Sequence, residues 1–218
     1  MSLAKYQYAE LSQPDTIRLL NIFPQKDDPE TLRCKLLELP LRISETLTRP
    51  YEALSYVWGS EDSPRSIIIT DGTDDRQLKV TNNLHSALLH LRDNDISRII
   101  WVDAVCINQS NNAEKKGQIG LMPAIYSKAS RVIVWLGDSK DDGSSALETI
   151  RDAAEGPRNF SSTQQPSETS LIQHSENASE TELPTPRAVL ALLRRPWFRR
   201  IWVRSKLCNM ISYTAKMQ

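Results

Sequence analysis

Tyr51–Gly59 reads YEALSYVWG, and Arg98–Val102 reads RIIWV, followed directly by Asp103. Both are short apolar runs that stop at a polar or glycine position. The first is rich in Tyr, Val and Trp, which suit a pleated, buried surface. The second is continuous in apolar character, the pattern of a strand covered on both faces. A third run, Arg131–Leu136 (RVIVWL), repeats the pattern and closes at Gly137-Asp138. Segments with helical spacing separate them. Leu84, Leu88 and Leu91 recur on one face of a helix capped by Asn82 or Asn83 and running through Arg92. A second helix is expected over 112–130, with Ile119, Met122, Ile125, Tyr126 and Ala129 on its inner face and Pro123 kinking it or marking its true first turn. Strands alternating with helices indicate parallel βα units with right-handed crossovers. The expected class is therefore α/β: a mostly parallel sheet with helices on both faces, an added β-hairpin and N-terminal strands along one edge.

Working outward, Ser66–Thr70 and Gln77–Thr81 flank Asp71-Gly72 and predict the hairpin, with a somewhat long loop. Thr16–Phe23 (TIRLLNIF) and Leu32–Leu39 (LRCKLLEL) predict an antiparallel pair separated by a Pro24–Pro29 turn. A helix is expected from about 143 to 154. Residues 157–185 turn to Ser, Thr, Gln, Glu and Pro, a composition that buries too little to offset its ordering entropy, and read as a disordered insertion. Thr185–Arg194 predicts a helix with Pro186 early, and Pro196–Val203 (PWFRRIWV) a turn entering a strand. The resulting division is 1–50 as N-terminal strands packing on the domain, 51–156 as its core, 157–185 as the insertion, 186–203 as the end of the core and 204–218 as an atypical tail.

Composition narrows the function. Lys+Arg and Asp+Glu number 27 each, so there is no basic field to attract a phosphate backbone, and nucleic acid is not an expected partner. The three cysteines, Cys34, Cys106 and Cys208, form no paired motif and fit reduced thiols in a cytoplasmic protein. No signal-peptide pattern opens the chain, and its apolar runs are far shorter than the ~20 residues of a membrane helix. Neither a phosphate-loop motif nor HExxH occurs. No metal site and no resident cofactor is expected.

Four segments together resemble the fungal heterokaryon incompatibility (HET) domain family: YEALSYVWG; the pair TNNLHSALLHLR and RIIWVDAVCINQ; QIGLMPAIYSKASRVIVWLG at Gln118–Gly137; and RPWFRRIWV at Arg195–Val203. Their order and spacing match over about residues 51–203. The resemblance implies a TIR-like or flavodoxin-like sheet and a cytoplasmic module of non-self recognition and programmed cell-death signalling, acting through protein partners or self-association. The family commonly continues its last motif into a Gln-Glu pair. Here Val203 is followed by Arg204-Ser205-Lys206, so a chain cut short before that motif is one expectation, an inactive remnant one alternative, and a gene-model artefact over 204–218 another.

The residues that bear chemistry lie in these motifs. Asp103 sits at the carboxyl end of its strand, where open parallel sheets gather ligands. With Asn108 and Gln109 just beyond, it is a candidate for binding ribose hydroxyls or orienting water; capping a loop is the preferred alternative. Ser55, Tyr56, Trp58 and Gly59 end the first central strand and are candidate binding residues, with core packing preferred for Trp58. Trp101 and Trp135 read as core. Cys106 reads as a buried inert thiol, and Glu114 as a carboxylate favoured by its helix dipole. Arg199, Arg200 and Trp202 form a candidate cationic–aromatic surface. Because some TIR domains cleave NAD, a NAD-cleaving enzyme is the alternative to the signalling reading; Asp103 and then Glu52 are its candidate catalytic carboxylates.

Overall fold

The computed structural model describes residues 3–24, 28, 30–41, 51–72, 74–138, 186–199 and 213–216. They fall in two units, one of residues 1–138 with 196–217 and one centred on 139–195. The first unit holds a sheet of eight strands: β1 (Thr16–Ile22), β2 (Arg33–Pro40), β3 (Glu52–Ser55), β4 (Arg65–Asp71), β5 (Asp74–Val80), β6 (Arg98–Trp101), β7 (Val132–Trp135) and β8 (Tyr213–Lys216), in the order β5-β4-β2-β1-β6-β3-β7-β8. Its helices are α1 (Asn82–Leu91), the single turn α2 (Asp103–Cys106) and α3 (Asn112–Lys128), with a 3-10 turn at Pro196–Arg199. The second unit contributes α4 (Pro186–Leu193), which begins on the expected proline.

The three runs read first from the sequence lie side by side and point the same way. Ala53 is in parallel register with Trp101 on one side and Val132 on the other, so β3 is flanked by β6 and β7. Ala53, Trp101 and Val132 therefore share one face, and alternation along β7 turns Trp135 to the other. Trp101 packs on Tyr126 of α3 with ring centroids 5.4 Å apart, and Trp135 packs on His90 of α1 at 4.9 Å. These contacts place α1 and α3 on opposite faces of the parallel strands.

The sheet as a whole is mixed, which corrects the expectation of a mostly parallel one. The parallel strands β3, β6 and β7 are only four residues each, whereas β1 pairs antiparallel with β2 and β4 with β5 over seven residues each. The added strands are integral to the sheet. β1 joins the parallel block by antiparallel pairing with β6, and β2 carries the hairpin by parallel pairing with β4. The burial of Ile17, Leu19, Leu20 and Ile22 explains why β1 lies inside the sheet, since both its faces are covered.

Local readings differ in detail. The hairpin loop is tight, Asp71 pairing with Asp74, and Gly72 supplies the positive φ of 66° that such a turn needs. Thr81, one residue before the expected Asn82, caps α1 by accepting Leu84 N–H at 3.3 Å. Helix α3 is capped by Asn111 and continues through Pro123. Its inner face is Gln118, Ile125 and Tyr126; Ile119, expected inside, is 54% exposed. The expected helix at 143–154, the insertion at 157–185 and the strand entry at 200–203 lie outside the described residues. Four tail residues form β8, parallel to β7.

Candidate functional site at the carboxyl ends of the parallel strands

Strand β6 ends at Trp101, and Val102 leads straight into α2, so Asp103 opens a helical turn at the strand tip. Its Oδ1 accepts the N–H of Ala104 at 2.8 Å and its Oδ2 accepts the indole N–H of Trp58 at 3.1 Å. The Gln109 side-chain amide donates to the Asp103 carbonyl at 2.8 Å. Asp103 thus satisfies one first-turn N–H of α2 and, at the same time, is the clasp that joins the tips of β3 and β6. Trp58 is half-buried and packs against the core, with its indole N–H turned to this carboxylate.

Gly59 follows with φ of 78°, where a side chain would be strained and a Cβ would come within 3.3 Å of Asn83 Cβ. Asn83, in the first turn of α1, donates from Nδ2 to the Val57 carbonyl and accepts the Trp135 indole N–H at Oδ1 (3.0 Å). One amide therefore links the tips of β3 and β7.

The connection carrying Asn108 and Gln109 is fixed from below by a buried ion pair. Arg18, in the apolar run of β1, is 3% exposed. Its guanidinium donates to both Glu114 oxygens (2.5 and 3.2 Å), to the Ala9 carbonyl (2.6 Å) and to the Cys106 carbonyl (3.4 Å). Glu114 also accepts the Asn108 backbone N–H at 2.8 Å. The dipole explanation for Glu114 was therefore incomplete: it compensates a charge inside the sheet. The Arg18 guanidinium lies 5.2 Å from the ring centre of Tyr8, whose hydroxyl donates to the Val105 carbonyl at 2.8 Å. Burial, more than its neighbours, pushes the Tyr8 phenol well above its usual range and keeps that donor proton in place. Gln118, 2% exposed, donates to the Thr16 carbonyl at 2.9 Å and ties α3 to β1.

These ties shape a cleft of about 640 Å³ whose walls include Tyr6 and Tyr8, Trp58, Leu78, Asn108 and Gln109. The segment carrying Tyr6 is held along β5 by Tyr6 N–H to Gln77 O and Gln77 N–H to Ala4 O, both 2.8 Å. A volume of this order is typical of small-molecule sites.

Of the residues singled out from sequence, Trp58, Asn108 and Gln109 line the cleft, and Asp103 holds two of them. Gly59 is exposed at the turn beside them. Ser55 and Tyr56 are 3% and 2% exposed and belong to the interior; the Ser55 hydroxyl accepts the Trp197 indole N–H at 3.0 Å. Glu52 lies at the amino end of β3, the opposite end from Asp103, bound by the guanidinium groups of Arg98 and Arg131. Burial pushes its carboxyl upward, but the hydrogen bonds from the two arginines outweigh it and leave the pKa below the usual value. The Cys106 thiol is buried, accepts Val102 N–H at 3.4 Å, and is pushed up to about 12 by burial, as expected of an inert thiol. Trp101 and Trp135 are core, as read. Arg199 is exposed, while Arg200 and Trp202 lie outside the described residues.

Sequence reasoning missed Arg18, Gln118 and the two N-terminal tyrosines. A signal existed for the first: an arginine inside TIRLLNIF has no exposed face in a doubly covered strand and requires a buried partner. Among the described residues no cluster of His, Cys, Asp and Glu is arranged to hold a metal ion, and no helix is long and apolar enough to cross a membrane.

No solved structure matches the chain. Heterokaryon incompatibility protein 6, OR allele, of Neurospora crassa is 30% identical over 235 residues, covering 95% of this chain. The alignment covers 34% of that relative, so the chain spans about a third of its length. The family model for heterokaryon incompatibility protein (HET) matches residues 51–204, the stretch that supplies β3, β6 and β7 and the Trp58–Asp103 clasp, and the chain belongs to this family.

Proposed function

We propose that this protein acts in heterokaryon incompatibility, as a cytoplasmic module that transmits a cell-death response on non-self recognition. The observation that carries the reading is the family match over 51–204, a range that includes the three adjacent parallel strands β3, β6 and β7. The relative in Neurospora crassa supports it, though only a third of that protein is covered. Protein partners or self-association would supply the trigger. The architecture accords with a TIR-like or flavodoxin-like core, since the first parallel strand lies between the second and third. The test is inducible expression in a compatible Neurospora crassa strain, scored by vital-dye uptake and colony growth. Death on induction is the expected result. Normal growth with the protein accumulating to the level of an active HET control overturns the reading.

NAD cleavage is the second reading, and Asp103 beside a cleft at the strand tips is what favours it. The existing bonds to Asp103 and the placement of Glu52 at the far end weigh against it. Incubating the purified protein with NAD tests it: absence of nicotinamide release, or equal release from Asp103→Ala, ends it.

A further inference from the structure

We infer that the cleft between the N-terminal segment and the strand tips binds a planar, anionic small molecule of nucleotide size. The lining divides into three kinds of surface. Leu78 and Val80 give an apolar wall, and Trp58 adds π surface. The only polar atom of the Trp58 side chain, Nε1, is taken by Asp103, so the residue meets a ligand through its ring and not as a donor.

Hydrogen-bonding groups form the second kind. Asn108 Oδ1 accepts the Ser110 N–H, and Gln109 Nε2 is spent on the Asp103 carbonyl. Among the described residues, Asn108 Nδ2 and Gln109 Oε1 make no hydrogen bond. Both residues line the cleft, so its wall keeps one amide donor and one amide acceptor without a partner among the described residues, complementary to the edge of a heterocycle or an amide. A purely apolar ligand is disfavoured, because covering these groups without partners costs their desolvation.

Charge is the third. Lys5 and Lys79 line the cleft, are exposed and make no ion pair among the described residues, while Glu61 is the one acidic lining residue. The balance favours an anion. Ring, edge and anion together describe a nucleoside phosphate or a compound of that form. This inference concerns binding alone and is read on purified protein, so its failure is separable from failure of the cell-death reading.

The experiment is titration of the purified chain with AMP, GMP and UMP, and separately with adenosine and inorganic phosphate, followed by calorimetry and by the Trp58 indole N–H resonance. At least one nucleotide is expected to saturate with a Kd below about 1 mM and to shift that resonance, with adenosine and phosphate each weaker. Lys5→Ala/Lys79→Ala, two exposed positions, is expected to weaken the nucleotide about fivefold, the upper range for an exposed charge pair. Asn108→Ala is expected to weaken the nucleotide and leave phosphate unchanged. Failure of all three nucleotides to bind a folded protein overturns the inference. So does phosphate binding as tightly as the nucleotides, or nucleotide binding that none of these substitutions alters.

Discussion

Removing Arg18 is expected to be among the most damaging single changes in the chain. Its side chain is 4% exposed and that of Glu114 10%. Arg18→Ala leaves the Glu114 carboxylate buried with the Asn108 N–H as its remaining partner described above, and it strips donors from the Ala9 and Cys106 carbonyls. Breaking a buried pair from one side costs about 3–5 kcal/mol. That is a large share of a total on the order of 5–15 kcal/mol. At about 2–4 °C per kcal/mol for a chain of this size, the melting midpoint should fall by roughly 6–20 °C. Urea unfolding followed by circular dichroism gives the free energy directly, with the m-value unchanged if the native state stays compact. Replacing both partners, Arg18→Met with Glu114→Leu, is expected to recover most of the loss, because no orphaned charge remains. A cost below about 1 kcal/mol for Arg18→Ala, the value of an exposed pair, would refute the claim that this pair is buried and fixes the site loop.

Glu52 gives a pH prediction. Bonds from Arg98 and Arg131 hold its folded pKa below that of a free glutamate, so its contribution is present above the unfolded pKa and is lost as pH falls through the folded one. Stability measured between about pH 5 and pH 3 should therefore fall less steeply in Glu52→Gln than in the parent. Gly59→Ala should cost about 1–2 kcal/mol by chemical denaturation, since φ is 78° and the new Cβ meets Asn83 at 3.3 Å; an unchanged midpoint would contradict the turn geometry. Cys34 and Cys106, both buried with thiols pushed up to about 12, should resist iodoacetamide at pH 8 in the native protein and react on unfolding, as read by peptide mass spectrometry.

The parallel block was legible because Tyr51–Gly59, Arg98–Val102 and Arg131–Leu136 each carry an unbroken apolar run closed by a polar or glycine residue. The antiparallel pairs were legible too, from Asp71-Gly72 and from the two apolar runs before residue 40. Their rank within the sheet was not. Periodicity reports which residues are covered, and it does not report which neighbour covers them; β1 therefore looked peripheral although it sits beside β6. Ile119 was misplaced because α3 lacks a clear apolar stripe and because Gln118, a polar residue, turns inward to meet Thr16. Asp103 stood out through its position at a strand tip, and the structure places it there. Its partner Trp58 lies 45 residues away, and pairing at that separation leaves no local trace. The same holds for Tyr6 and Tyr8, which join the cleft through hydrogen bonds to β5 and to α2.

The most direct test of the account is a nuclear Overhauser map of the backbone around Ala53. Parallel-pattern contacts from Ala53 to both Trp101 and Val132, together with contacts from the Trp58 indole to the Asp103–Ala104 turn, are the predicted result. Antiparallel-pattern contacts between these runs, or a Trp58 indole remote from Asp103, would contradict it.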